Sequence, residues 1–192
     1  MRSFRFALTV ILMSFSAAAL AQHEHAPTPT PAAPSEAQKS FDALKTLAGS
    51  WEGTLTSVPP MKEIEGKRMK VMIRATSRGN ALMHEMTMSG LPDDPITMLY
   101  LDSDRLMLTH YCDAGNRPRM AGKSSPDGKT VAFEVLDVSG STKRGHMADA
   151  VFTLVDANHH LEEWKFNFPG GKPITARFDL QRTKEASGPF GQ

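Results

Sequence analysis

Apolar and polar residues alternate in short runs along most of the chain after residue 50. In the last run every second residue is apolar and the residues between are polar, the apolar set being Ile174, Ala176, Phe178 and Leu180. A period of two places one set of side chains on the buried face of a sheet and the other in solvent. The pattern predicts ten strands, at Trp51–Val58, Lys67–Thr76, Ala81–Ser89, Ile96–Leu101, Leu106–Cys112, Pro118–Ser124, Thr130–Val138, His146–Val155, Leu161–Phe168 and Ile174–Arg182.

Short connections with turn-forming residues separate the predicted strands. Ser77–Asn80, Pro126–Gly128 and Asp156–Asn158 are three of them. Gly, Asn and Asp tolerate the positive φ angles that tight hairpins need. One polar face and the lack of helices to cover a second face favour an antiparallel sheet.

One helix is predicted before the strands, from Ser35 to Leu47. Ser35 is placed to cap it, and Gln38 occupies the capping-box position. Phe41, Leu44 and Leu47 recur at helical spacing. Ala48 and Gly49 follow and end the helical pattern.

These elements predict an all-β fold, an antiparallel up-and-down β-barrel of about ten strands with one short N-terminal helix, over residues 36–183. Closing the sheet removes exposed strand edges, which would otherwise pair with other chains. A barrel of about ten strands is also wide enough to hold a ligand. The alternative is a two-sheet sandwich with a filled core.

The first 21 residues are typical of a signal peptide. Arg2 and Arg5 precede an apolar run at residues 6–15, and Ala19 and Ala21 form a small-x-small cleavage site. No cysteine lies near that site to carry a lipid anchor, and no later segment has 18 apolar residues in a row. We therefore expect a periplasmic or secreted protein without a transmembrane segment.

Two further segments lie outside the predicted barrel. Residues 22–35 are rich in proline and predict a disordered linker, and residues 184–192 predict a flexible C-terminal tail. The full chain has a formal net charge of +1, which becomes −1 when Arg2 and Arg5 leave with the signal peptide. A charge so close to zero does not favour nucleic acid as a partner. No protein partner can be inferred.

The segment Leu47–Gly53, Leu-Ala-Gly-Ser-Trp-Glu-Gly, resembles the opening of calycin-type barrels. These include lipocalins, fatty-acid-binding proteins and, most closely, the bacterial nitrobindin-like group. The resemblance implies that Gly49 and Trp51 close one end of the barrel and that a basic residue of the last strand, here Arg182, lies across the tryptophan. The segment Leu108–Met120 also resembles exported bacterial proteins of unknown function.

The same resemblance implies haem binding through a histidine on the last strand. Residues 174–182 contain no histidine, so another histidine would have to serve. The sequence therefore predicts no cofactor and no metal site, with haem or metal binding kept as an alternative.

His110 and Cys112 are the leading candidates for chemistry. They lie two positions apart, on the same side of a strand as Leu106 and Leu108, and so are expected to face the interior. An imidazole beside a thiol can create a reactive thiolate or ligate a soft metal or haem. A hydrogen-bonded core histidine beside an apolar cysteine explains the same pattern. The lone Cys112 excludes an internal disulfide.

The neighbouring residues complete the predicted ligand-binding set, which is His110, Tyr111, Cys112, Arg119 and Met120. Arg119 is placed to meet an anionic head group at the barrel mouth, or else to be a solvated charge on the outer face. Met120 is one of ten methionines after residue 21. Flexible thioethers suit adaptable apolar pockets, although they also fill ordinary cores.

No Gly-x-Ser-x-Gly or His-Glu-x-x-His motif occurs, so no catalytic residue is predicted. The favoured interpretation is a non-enzymatic binding protein for a small apolar or amphipathic molecule. Three alternatives stay open: a haem- or metal-binding nitrobindin-like protein, a thiol-dependent enzyme using Cys112 and His110, and a protein-interaction module.

Overall fold

A computed structural model describes residues 33–184. The predicted signal peptide, most of the predicted linker and all of the predicted tail except Lys184 lie outside the described residues. The elements are α1 (Glu36–Lys45), β1 (Gly49–Val58), β2 (Arg68–Thr76), a 3₁₀ turn (Ser77–Gly79), β3 (Ala81–Met88), β4 (Ile96–Asp102), β5 (Arg105–Tyr111), β6 (Arg117–Ser124), β7 (Thr130–Ser139), β8 (His146–Asp156), β9 (His159–Asn167) and β10 (Ile174–Arg182). Within this part of the chain no helix has the length and apolar character needed to cross a bilayer.

The ten strands form one closed antiparallel barrel in which each strand pairs with its neighbours in sequence. The barrel closes where β1 pairs with β10, in a register that runs from Trp51 opposite Arg182 to Val58 opposite Thr175. This confirms the predicted barrel and excludes the two-sheet sandwich. Alternate residues of every strand therefore face a single enclosed interior.

The helix is two residues shorter at its C-terminal end than the sequence predicts. Its start agrees with the prediction, because the backbone N–H of Gln38 donates to Ser35 Oγ at 3.1 Å. The helix ends at Lys45, and the N–H of Leu47 bonds to the carbonyl of Leu44 at 3.0 Å, in a tighter turn. Leu47 therefore lies beyond the helix, but the turn still directs its side chain into the core, where it is buried.

The helix covers one end of the barrel. Its buried face carries Phe41 and Leu44, and Ser40 Oγ lies 2.6 Å from Ser124 Oγ at the end of β6. Trp51 enters the barrel beneath the helix and donates its ring N–H to the carbonyl of Leu47 at 2.8 Å. The start of β1 and the end of the helix are thus fixed to each other.

Arg182 joins the end of β10 to the same region. Its guanidinium carbon lies 4.1 Å from the centroid of the Trp51 ring, in a cation–π contact. Its nitrogens donate to the carbonyls of Thr46, Ala48 and Ala157 at 2.9, 2.7 and 2.8 Å. Gly49, at φ +142°, leaves room for this side chain, since a Cβ there would collide with the Arg182 guanidinium.

Replacing Arg182 by Met, which keeps the length of the side chain, should destabilise the barrel. We expect the free energy of unfolding to fall by about 2–3 kcal/mol, because three carbonyls lose a charged donor and the Trp51 ring loses its cation. Urea unfolding followed by circular dichroism measures the change.

Arg177→Met is the matched control on the same strand. Arg177 faces outward, and its Nε lies 2.6 Å from Glu163 Oε1 in a surface ion pair. Such pairs contribute about 0–1 kcal/mol. If both variants lost the same free energy of unfolding, Arg182 would have no special role in fixing the pairing of β1 with β10.

Candidate functional site

The barrel interior is filled at the helix end and hollow at the other. The filled half holds large buried side chains, among them Trp51, Phe133, Phe152 and Leu180. The opposite half contains a cavity of about 400 Å³. It lies where β1 ends and β10 begins, since Leu55 and Ile174 line it and Trp51 and Arg182 do not.

The walls of the cavity are mostly apolar. Four of its lining residues are the methionines Met61, Met86, Met88 and Met147, and aromatic residues such as Phe166 and Phe178 complete the surface. Thioether side chains adjust to ligands of different shape more readily than branched ones. The cavity is therefore suited to an apolar molecule of variable outline.

The mouth of the cavity carries its charged lining residues, Asp93, Asp113 and Arg144, and beside them Cys112. Arg144 Nη2 lies 2.9 Å from Asp113 Oδ2, and Asp93 Oδ1 accepts the backbone N–H of Asp113 at 3.2 Å. Burial, followed by the neighbouring carboxylates, raises the pKa of the Cys112 thiol. The thiol is therefore protonated at neutral pH, which does not favour a thiolate nucleophile.

Asp93, Cys112 and Asp113 are also the described residues best placed to hold a metal. One ligand atom from each lies within 4.8 Å of the other two. The ion pair with Arg144 occupies one of these carboxylates, however. A cation there would have to displace the guanidinium.

His110 is the polar residue at the buried end of the cavity. Its side chain is fully buried on β5, and its Nδ1 lies 2.8 Å from Thr97 Oγ1 on the adjacent strand β4. Its Nε2 has no hydrogen-bond partner among the residues of the structure, and the ring lines the cavity. Burial, assisted by nearby His84, lowers the pKa of His110 to about 3. The ring is therefore neutral at physiological pH.

A second polar group lies behind the cavity, around Glu162 of β9. Glu162 Oε1 is 3.0 Å from His84 Nε2 and 2.9 Å from His160 Nε2, and Oε2 accepts the ring N–H of Trp164 at 2.8 Å. All four side chains are buried. Trp164 also lines the cavity, with its ring centroid 5.4 Å from that of His110. Glu162 thus fixes the ring that forms the base of the cavity beside His110.

The Glu162 carboxylate stays ionised inside the barrel. Burial alone would raise the pKa of Glu162, but the charge interaction with His84 and the hydrogen bonds from His160 and His84 outweigh it. The pKa is held well below its usual range as a result. The ring N–H of Trp164 adds a third donor to the anion.

The structure separates the predicted ligand-binding residues into three places. His110 and Cys112 line the cavity. Tyr111 is 43 % exposed on the outer face, and Arg119 is also outside, with its Nε 3.0 Å from Asp137 Oδ1. Met120 is fully buried in the filled core and does not line the cavity. Alternation explains the split, because Tyr111 and Arg119 each stand one position away from an inward-facing residue.

The role of Glu162 is a feature that sequence reasoning missed. The alternation of β9 already places His160, Glu162 and Trp164 on one inward face. His84, by contrast, comes from β3, 78 residues earlier, and reaches Glu162 across the interior. No local pattern shows which strands face each other across a barrel. A buried glutamate between His160 and Trp164 was the available sign that a partner was needed.

Comparisons with known proteins agree with the fold. No protein-family model matches the chain, and no curated protein matches it. Among solved structures it is similar to Rv2717c from M. tuberculosis, with 14 % identity and a TM-score of 0.59 over 76 % of this chain and 98 % of that chain. At this identity the likeness supports the barrel fold alone. The closed barrel fits the predicted calycin-type architecture, and no family match assigns the chain to a named family.

A second similar structure is a protein of unknown function of the DUF3598 family from Nostoc punctiforme. The identity is 9 % and the TM-score 0.49, over 72 % of this chain and 48 % of that one. The chain spans about half the length of this second structure.

Replacing Glu162 by Gln removes the negative charge and keeps the shape of the side chain, so it tests how much the buried carboxylate stabilises the fold. One amide oxygen cannot serve three N–H donors, and the amide N–H₂ would face donors. We therefore expect the free energy of unfolding at pH 7 to fall by about 3–5 kcal/mol. Glu163→Gln is the control, since Glu163 faces outward in its ion pair with Arg177. This replacement should lower the free energy of unfolding by less than about 1 kcal/mol.

The pH dependence gives this prediction a second readout. The pKa of Glu162 is lower in the folded protein than the value of about 4.3 expected in the unfolded chain. The carboxylate therefore stabilises the fold fully above that pH and progressively less as the pH falls below it. The gap between wild type and Glu162→Gln should narrow below about pH 4 in chemical unfolding experiments, and a gap independent of pH would contradict the ionised carboxylate.

Proposed function

We propose that the protein binds a small apolar or amphipathic molecule inside the barrel and acts as a binding protein rather than an enzyme. The observation that carries this proposal is the cavity of about 400 Å³, whose walls are mostly apolar and whose lining includes the buried His110, with an Nε2 that has no partner among the described residues. Binding sites for small molecules typically measure about 300–1,000 Å³ and combine apolar walls with a few polar anchors. The cavity has both properties.

The placement of the ionic groups supports the same function. Asp93, Asp113 and Arg144 lie at the mouth, so a polar or charged end of a ligand can remain near solvent. The apolar part can then displace water from the methionine-lined walls, which is favourable. We further propose that this binding takes place in the periplasm or outside the cell, which rests on the sequence of residues 1–21.

Filling the cavity should abolish binding while leaving the barrel folded. Ala176 lines the cavity, and Ala176→Trp would occupy part of its volume. We expect the neutral fluorescent probe N-phenylnaphthylamine to bind the wild type and to bind this variant at least about tenfold more weakly. Probe fluorescence titration measures this.

The matched control is Ala132→Trp on β7. Ala132 does not line the cavity and lies on the outer side of its strand, between the inward residues Val131 and Phe133. The control should bind the probe as the wild type does. A wild type that binds no probe, and that native mass spectrometry shows to be empty when purified from its own host, would contradict the proposal.

Two of the alternatives drawn from the sequence are less well supported. A protein-interaction module predicts a solid barrel, whereas this barrel has a cavity in one half. A thiol-dependent enzyme needs an activated Cys112, whereas burial raises the pKa of that thiol and His110 Nδ1 is engaged by Thr97. Neither arrangement favours nucleophilic chemistry at Cys112.

Haem binding is the second candidate, because His110 is the histidine in the cavity lining and its Nε2 has no partner among the described residues. Haem ligation needs the lone pair of Nε2, so the ring proton would have to lie on Nδ1. Ligating histidines usually donate that proton to a carbonyl, a carboxylate or water, whereas His110 faces the hydroxyl of Thr97. These residues fit haem poorly, and we rank it below an organic ligand.

Adding haemin to the purified protein distinguishes the two candidates. We expect no Soret shift that depends on His110, because a Thr97 hydroxyl that donates to Nδ1 would leave the ring proton, and not a lone pair, on Nε2. The absorption spectra of the wild type and His110→Phe with haemin should therefore agree. A shifted Soret band in the wild type that disappears in His110→Phe would instead establish haem as the ligand.

A further inference from the structure

The position of one proton on His110 determines which ligand atom the buried end of the cavity can accept. The neutral ring carries a single N–H, on Nδ1 or on Nε2. Nδ1 lies 2.8 Å from Thr97 Oγ1, which makes no other side-chain hydrogen bond among the described residues. Nε2 is buried without a partner among the described residues, and His110 belongs to the cavity lining. Either Nδ1–H donates to Thr97, or the Thr97 hydroxyl donates to Nδ1 and Nε2 carries the proton.

The two arrangements leave different atoms without partners. If Nδ1–H donates, the Thr97 hydroxyl proton has no acceptor, and Thr97 is fully buried and does not line the cavity. No ligand can reach that proton. If the Thr97 hydroxyl donates instead, the donor without a partner is Nε2–H, which belongs to a ring in the cavity lining. A buried donor that is never paired is the more costly defect, so the second arrangement is favoured.

We infer that His110 presents an Nε2–H donor to the cavity, and that the ligand is a neutral apolar molecule with a carbonyl-type oxygen at its buried end. The inference rests on the proposed function and narrows it to a class of ligand. Thr97 is then a positioning residue, because it holds the ring proton on Nε2. A ketone, aldehyde, ester or quinone has the required acceptor.

The charges around the site exclude a carboxylate at the same position. The His110 ring is neutral, and no cationic side chain lines the buried end in the described part of the chain. The Glu162 anion lies directly behind Trp164, with its Oε2 2.8 Å from the ring nitrogen. Arg144 is at the mouth, where it pairs with Asp113. A buried ligand carboxylate would therefore lose its hydration without gaining a cationic partner at the buried end of the cavity lining.

A hydroxyl group is also a poorer match than a carbonyl. It can accept from Nε2–H, but it brings a proton of its own that needs an acceptor. The ring nitrogens nearest the buried end are both engaged as donors, since Trp164 Nε1 donates to Glu162 and His110 Nε2 carries the proton. An oxygen without a proton satisfies the site fully.

The tautomer can be measured without any ligand. We expect nitrogen NMR of the full-length protein labelled at histidine to show His110 protonated at Nε2 and unprotonated at Nδ1. Thr97→Val, which keeps the side-chain shape and removes the hydroxyl, should lose this preference, and Thr97→Ser should retain it. A wild-type ring protonated at Nδ1 would overturn the inference.

The ligand class is tested with three probes of equal carbon number, heptane, methyl pentyl ketone and heptanoate, in competition with N-phenylnaphthylamine at pH 7. The ketone should bind at least about tenfold more tightly than either of the others. The preference should disappear in His110→Phe and in Thr97→Val and persist in Thr97→Ser. Circular dichroism confirms that each variant is folded.

The outcomes separate this inference from the proposed function. Equal binding of all three probes, or tighter binding of heptanoate, would overturn the ligand class and leave an apolar binding protein. Failure of all three probes and of N-phenylnaphthylamine to bind would overturn both. A ketone preference that survives in Thr97→Val would overturn the positioning role of Thr97.

Discussion

The pairing of β1 with β10 is the constraint on which the interior of this protein depends. Once these strands meet, alternate residues of all ten strands must share one enclosed space. At one end the seam is fixed by Arg182, which reaches from β10 to the carbonyls after the helix and covers Trp51. The helix and Trp51 fill that end. Among residues 33–184 no comparable group fills the other end, so closure there leaves a cavity.

The buried carboxylate of Glu162 organises the boundary between the two halves. Removing an ion from water is costly, and the cost is offset only when its hydrogen-bonding capacity is met. Here two imidazoles and one indole meet it, from β3 and from β9 itself. The same bonds fix the orientation of Trp164, which forms part of the cavity base. A base held in this way loses little conformational freedom when a ligand binds, which favours affinity.

The sequence predicted the barrel well because a barrel of this kind is specified by local patterns within each strand and turn. A period of two, with turn residues between the runs, gives the number of strands, their antiparallel direction and, for several of them, the inward face. It correctly placed His110 on an inward face. It could not give contacts across the barrel, such as that between His84 and Glu162, which depend on strand tilt and register around the whole ring. For Arg119 the sequence left a place at the barrel mouth and a place on the outer face open. The structure places it on the outer face, to which alternation also directs Tyr111.

Glu162 and His110 are both buried polar side chains, but only Glu162 has its hydrogen-bonding groups paired among residues 33–184. Both are polar and buried, so each needs partners. Glu162 finds three N–H donors within the chain, whereas His110 finds one partner, Thr97, and keeps Nε2 unpaired. Leaving a buried nitrogen unpaired costs free energy, and a ligand that supplied an acceptor would remove that cost. His110 belongs to the cavity lining, so the molecule that we propose completes the hydrogen bond is a ligand bound in that cavity.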